Sequence, residues 1–188
     1  MMKTANSLLM DLEEQMNMIG LPLMALKLDE LYRSSDFLTM DRLEMVSSLL
    51  KPEYEDKTTK RFNNRLRTAH LIGTPCDISQ CRDSSQRRYE PTDAPKVLST
   101  LQFIEEGLNV CILGPSDSGK TFLAKSLGVA ACEKYRVNYC HCNELLERLV
   151  AAKSADYTKY LREIKKILGF QLLILDDFLL NTIMDERE

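Results

Sequence analysis

Apolar residues recur along this chain with two different rhythms, and the change of rhythm divides it. Leu8, Leu12, Met16 and Ile19 follow helical spacing; Gly20 and Pro22 interrupt it, and Leu21, Met24, Leu28 and Leu31 resume it. Thr39 is placed to cap a third helical segment carrying Leu43, Val46 and Leu50, with Pro52 near its end. A fourth runs from about Glu53 to Ala69, with Phe62, Leu66 and Ala69 as apolar positions. Residues 73–95 then collect Gly73, Pro75, Pro91 and Pro95 among Ser, Asp and Arg, which predicts an irregular connection. The pattern predicts a helical N-terminal module over residues 1–72, a connector over 73–96 and a different kind of domain over 97–188.

In that last domain short apolar runs alternate with helices. Val110 to Leu113 reads as a buried strand, and Phe122 to Cys132 as a helix with Leu123 and Leu127 on one face. Val137-Asn138-Tyr139-Cys140 is a short β-leaning run. Asn143 is a plausible N-cap for a helix carrying Leu145, Leu146, Leu149 and Val150. Asp156 opens a further amphipathic helix with Tyr160, Leu161, Ile164 and Leu168 on one side, closed by Gly169. Leu172 to Leu175 is unbroken apolar sequence, which suits a strand covered on both faces. Strands alternating with helices of about ten residues imply an α/β fold, a parallel sheet with helices on both faces.

Two of these strands end in chemistry. The first runs into Gly114-Pro115-Ser116-Asp117-Ser118-Gly119-Lys120-Thr121, the pattern G-x-x-x-x-G-K-T, with a helix directly after it. Gly114 and Gly119 allow a tight turn that brings backbone N–H groups against phosphate oxygens. Lys120 is placed to reach the β- and γ-phosphates, the Thr121 hydroxyl to bind Mg²⁺, and the helix to point its positive end at the same anion. ATP or GTP is the ligand this predicts. The later strand ends in Asp176-Asp177, 56 residues beyond Lys120. Acids at the carboxyl end of a parallel strand emerge where open α/β sheets bind ligands. Asp176 has the position of the Walker B aspartate that holds the metal, and Asp177 that of an acid orienting the attacking water.

Composition narrows the setting. With 188 residues and 44% hydrophobic content, the chain can bury a real core, and its net charge of −3 gives no global pull toward nucleic acid. No apolar run approaches the ~18 residues of a membrane span. Met1-Met2-Lys3-Thr4 leads into Asp11, Glu13 and Glu14 rather than a long apolar segment, so neither a membrane partner nor a secretory signal is expected. The six cysteines are scattered, which with a nucleotide-binding fold predicts free thiols and a cytoplasmic location. Cys140-His141-Cys142 lacks the usual spacing of a zinc pair; in a strand Cys140 and Cys142 share a face, which suits small buried residues. The methionines, nine in all and mainly before residue 50, read as core filler.

A local basic patch stands apart from the overall charge. Lys57, Lys60, Arg61, Arg65 and Arg67 fall within eleven residues containing no acid, and Lys57, Arg61 and Arg65 are spaced by four along one helix face. Such a stripe suits DNA phosphates, and equally a solvated face partly neutralised by Glu53, Glu55 and Asp56. Arg87-Arg88-Tyr89 in the connector is a weaker basic candidate.

The segment from Phe103 to Pro115 resembles the entry into the AAA+ domain of IstB-like ATP-binding proteins, and Leu173 to Leu180 resembles the Walker B region of one branch of that family. The helical stretch ending in Arg65-Leu66-Arg67-Thr68-Ala69 fits the family's N-terminal region. The resemblance implies a helper ATPase of an insertion sequence, using ATP and Mg²⁺. Such a protein binds DNA with little sequence preference, forms ATP-dependent homo-oligomers on it and stimulates a partner transposase. A helicase loader with the same core is the alternative, as is a degenerate fragment without activity. A small-molecule kinase does not suit about a hundred residues of helical sequence ahead of the loop. The chain departs from the family in ending eleven residues after Asp177. In the AAA+ sheet order 5-1-4-3-2 the first strand lies between the fifth and fourth. These strands, the arginine finger and the lid would all follow residue 188. A domain incomplete after Walker B is therefore expected, with an unpartnered strand at Val110 to Leu113 and ATP hydrolysis at background. Asp177 also stands where many relatives carry Glu, one methylene longer, which bears on hydrolysis and not on Mg²⁺ binding.

Overall fold

The computed structural model of the chain describes residues 5–83 and 88–178. Met1 to Thr4, Arg87 of the connector's basic stretch, and Leu179 and Leu180 at the tail of the second motif lie outside the described residues. The chain forms two units, residues 1–61 and 62–188, each with its own core.

The first unit holds α1 (Ala5–Met18), α2 (Pro22–Arg33), a 3₁₀ turn at Ser35–Leu38 and the larger part of α3 (Arg42–Thr68). Leu28, Leu31 and Leu49 form its core, packed by Leu9, Leu12, Phe37 and four methionines, Met16, Met24, Met40 and Met45. The filler role read from composition is the one these methionines have. Asp41, and not Thr39, caps α3: its Oδ2 accepts from the Leu43 N–H at 3.0 Å and its carbonyl from Met45 at 2.9 Å.

α3 also runs straight through Pro52, where two separate helices were expected. An interior proline costs a helix about 3 kcal/mol. The offset comes from the next residue. Glu53 is buried, and its Oε2 accepts the N–H groups of Leu23 and Met24 at 2.9 and 3.3 Å, at the amino end of α2. α2 has no side-chain cap of its own at Leu21, so Glu53 caps it from the neighbouring helix. Hydrogen bonds to a charged acceptor contribute about 1.5–3 kcal/mol each, enough to hold α3 continuous at this point.

The second unit contains α4 (Ala94–Ser99), α5 (Gln102–Glu105), α6 (Lys120–Ala131), β1 (Val137–His141), α7 (Cys142–Ala155), α8 (Tyr157–Leu168) and β2 (Leu172–Asp176). β1 and β2 are parallel neighbours, in register from Val137 opposite Leu172 to His141 opposite Asp176. A β-α-α-β crossover of this kind is what the alternation of runs predicted. α7 begins at Cys142, one residue ahead of the expected cap Asn143. Asp156 caps α8 as expected, accepting from Thr158 N–H at 2.9 Å, and Gly169 ends it.

Val137 and Tyr139 of β1, with Leu172 and Ile174 of β2, pack against Ala131 and Cys132 at the end of α6 and against Ala69 and Leu71. α6 lies close on the sheet because residue 128 is glycine: a Cβ there would stand 2.7 Å from Leu71 Cδ1 and 2.8 Å from Ile174 Cδ1. The edge of β1 away from β2 is partly covered, the Tyr139 N–H donating to the Ala69 carbonyl at 3.1 Å. Part of the predicted connector packs here too: Cys81 is buried against Leu123 and Leu127 of α6, with Ile78 and Tyr89 around it.

The strand predicted at Val110 to Leu113 does not form; the sheet of the described residues has two strands, and Leu113 is 91% exposed. A segment becomes a strand only beside a neighbour that takes its N–H and C=O groups; otherwise water takes them. In the order 5-1-4-3-2, β1 and β2 correspond to the second and third strands of the chain, neighbours at one edge, and are found paired, whereas no described strand stands beside residues 110–113.

Candidate nucleotide-binding site

The loop from Gly114 to Gly119 turns from this extended segment into α6. Its two glycines serve different needs. Gly119 has φ +87°, the left-handed region that favours glycine, at the N-cap of α6. Gly114 is needed for space, since a Cβ would meet Ser118 Oγ at 2.9 Å. Asp117 also takes a positive φ of 59°, so the loop is wound tightly on both sides of Ser118. Pro115, Ser116 and Asp117 are exposed, and Lys120 folds back over the loop to donate to the Pro115 carbonyl at 2.7 Å.

Thr121, in the first turn of α6, meets the end of β2. Its hydroxyl donates to Asp176 Oδ1 at 3.2 Å, bridging residues far apart in the chain. The other carboxylate oxygen, Oδ2, accepts from the Tyr139 hydroxyl at 2.6 Å, and the Asp177 N–H donates to Oδ1 at 3.1 Å. Burial pushes the Asp176 carboxyl up, but the hydrogen bonds from Tyr139, Thr121 and the Asp177 backbone outweigh it and hold it below the ordinary carboxylate range. Tyr139 moves the opposite way, its phenol pushed up first by burial and then by the bond to Asp176. The carboxylate is thus ionised and oriented from three sides.

Asp177 follows with φ +54°, which swings its side chain to the His141 ring: Nδ1 and Oδ2 are 3.1 Å apart, both side chains about half exposed. Tyr139 and His141 were not singled out as partners of these acids from sequence. The two-residue period of β1 sets Tyr139 and His141 on one face, and the parallel register, which places His141 opposite Asp176, is what brings them to the acids. Cys142, by contrast, leaves the strand as the first residue of α7.

Two hard oxygens, from Thr121 and Asp176, converge beside the loop. That donor set suits Mg²⁺, which takes one or two protein oxygens and completes its shell with water and phosphate oxygens.

Of the basic positions of α3, Lys57, Lys60 and Arg61 belong to the first unit and Arg65 and Arg67 to the second. Lys57 donates to the Gly20 carbonyl at 2.9 Å and lies 3.4 Å from Glu53; Lys60 pairs with Asp56 at 2.8 Å; Arg61 is exposed. In the second unit, Arg65 donates from Nη1 to the carbonyls of Cys132 and Glu133, and Arg67 to Asn64 Oδ1 at 3.0 Å.

A family profile described as IstB-like ATP binding protein matches residues 14–187. The chain belongs to the IstB-like ATP-binding family. Among its relatives, an ATP-binding protein of insertion sequence IS232 from Bacillus thuringiensis is 38% identical over 79 residues, 42% of this chain and 31% of the relative. An insertion-sequence ATP-binding protein of Sinorhizobium fredii is 29% identical over 176 residues, 92% of this chain and 69% of the relative. That of IS21 from Pseudomonas aeruginosa is 28% identical over 138 residues, 71% of this chain and 49% of the relative. The chain thus spans between about a third and two thirds of the lengths of these relatives. The paired parallel strands and the loop before α6 agree with part of the family's α/β P-loop AAA+ fold. No helix among the described residues is long and apolar enough to cross a membrane.

Proposed function

We propose that this IstB-like chain is the ATP-binding helper of a transposase, acting in the cytoplasm on the DNA of its insertion sequence. ATP takes its phosphates to the loop Gly114 to Thr121. The single observation that carries this reading is the meeting of Thr121 and Asp176 beside that loop, a hydroxyl and an ionised carboxylate 3.2 Å apart.

In this reading Lys120 exchanges its bond to the Pro115 carbonyl for the β- and γ-phosphates, and backbone N–H groups at the start of α6 receive phosphate oxygens. Thr121 and Asp176 would hold Mg²⁺, which when bound offsets charge on the phosphates. Tyr139 keeps Asp176 turned toward Thr121. Asp177 orients the attacking water, a task that competes with its contact to His141. Sequence-independent DNA binding by Lys57, Lys60, Arg61, Arg65 and Arg67, nucleotide-dependent homo-oligomers and engagement of the transposase of the same element complete the proposal.

The test is binding of a fluorescent ATP analogue with Mg²⁺. Lys120→Ala is expected to abolish binding by removing the charge that faces the β- and γ-phosphates, and Asp176→Ala to make the remaining binding less Mg²⁺-dependent. Equal affinity in Lys120→Ala and the parent protein would remove the nucleotide from this loop.

A further inference from the structure

We propose a second anion site in the second unit, at the amino ends of β1 and β2, that takes the phosphate backbone of duplex DNA; it rests on the insertion-sequence reading above. A cleft of about 640 Å³ opens there, lined by Arg65, Arg136, Arg148, Lys165 and Lys166, with Glu163 the single carboxylate among its described lining residues. The nucleotide loop and Asp176 belong to the opposite, carboxyl ends of the same strands, roughly 15 Å away at the rise of a five-residue strand. One ligand does not explain both.

The ordinary explanation of these cations is that they cap helices. Arg65 donates to the Cys132 and Glu133 carbonyls beyond α6, and Arg136 to the Gly169 carbonyl at the end of α8. Arg148 and Lys166 both approach Glu163. Charge counting decides against this being the whole account. Each helix carboxyl end carries about half a negative charge. Two ends and one carboxylate therefore neutralise about two of the five cations, leaving an excess near +3 in a chain whose net charge is −3. A concave wall concentrates such a field on an anion. The carbonyl bonds engage Arg65 and Arg136 through one nitrogen each, which leaves the other donors of each guanidinium for phosphate. An opening of this size exceeds a single phosphate ion and suits a run of a polyanion.

The experiment measures binding of a fluorescent 30-base-pair duplex to the full chain across a salt series, without nucleotide. Arg148→Gln with Lys165→Gln is expected to weaken binding at least ten-fold at low salt. The slope of log K against log salt should fall by roughly 0.9 for each phosphate that the variant no longer neutralises. Lys51→Gln, at an exposed position of α3 outside both basic sets, serves as the comparison and is expected to leave the slope unchanged. Should the double Gln variant lose its fold by circular dichroism, Lys165→Glu alone, at an exposed position of α8, gives the same direction. An unchanged slope in the cleft variants overturns the cleft site while leaving DNA binding to other residues. A parent protein that binds ATP in a Lys120-dependent way but no duplex overturns the cleft and not the nucleotide assignment. Equal competition by a polyglutamate peptide of matched charge, or by millimolar inorganic phosphate, overturns duplex DNA as its occupant.

Discussion

Tyr139 joins the two strands of the sheet to the chemistry beside the loop. Its ring is in the core, only 7% exposed, with Lys125 Nζ 4.8 Å from the ring centroid, while its hydroxyl reaches Asp176 at 2.6 Å. Groups that orient a metal-holding carboxylate without touching the metal typically change metal affinity by about 10- to 100-fold when removed. Tyr139→Phe keeps the ring and deletes the hydrogen bond. It is expected to raise the Mg²⁺ concentration needed for half-maximal nucleotide binding by about ten-fold or more, with the circular dichroism spectrum unchanged. A Mg²⁺ titration of the fluorescent nucleotide complex checks this, and an unshifted midpoint would leave Tyr139 with packing alone.

Among the elements, α6 and α3 show how tertiary contacts overrule local preference. Glycine is a poor interior helix residue, and alanine at 128 in α6 would gain about 1 kcal/mol by propensity. The added methyl would instead strike Leu71 and Ile174 below 3 Å, and Leu71 is 1% exposed with no room to swing aside. Overpacking of this kind costs about 1–3 kcal/mol, so Gly128→Ala is expected to lower the melting temperature by a few degrees. In α3, Glu53→Ala removes the acceptor for two N–H groups of α2 and is expected to destabilise the first unit by about 3 kcal/mol or more. Glu53→Gln keeps an acceptor oxygen and should cost less. Urea unfolding followed by helical ellipticity distinguishes the two; identical midpoints for all three proteins would remove the cap.

At the scale of the whole molecule, the segment before the phosphate loop is the least supported part of the nucleotide site. Residues 109–113 form no strand, and Val110 and Leu113 are 38% and 91% exposed, whereas β1 and β2 share a ladder. Hydrogen exchange follows local opening, which is cheap for backbone outside a ladder. Amides of Val110 to Leu113 are therefore expected to exchange within seconds and those of Val137 to Tyr139 much more slowly, as read by mass spectrometry of peptic peptides. Protection of residues 110–113 equal to that of β1 would show that they are paired in solution.

The loop, the acid pair Asp176-Asp177, most helices and the family were legible in the residues themselves, because each depends on local spacing. A G-x-x-x-x-G-K-T between an apolar run and a helix, or a capping Asp156 before a periodic stretch, carries its meaning within about a dozen positions. Other features depended on residues distant in sequence. That Pro52 lies inside a helix rests on Glu53 finding α2. That Val110 to Leu113 is no strand rests on which segments stand beside it, since a ladder needs two partners. That Tyr139 and His141 meet Asp176 and Asp177 rests on the pairing of two strands separated by two helices. Periodicity reports which face of an element is apolar; only the folded chain decides what that face, or a polar tip beside it, comes to touch.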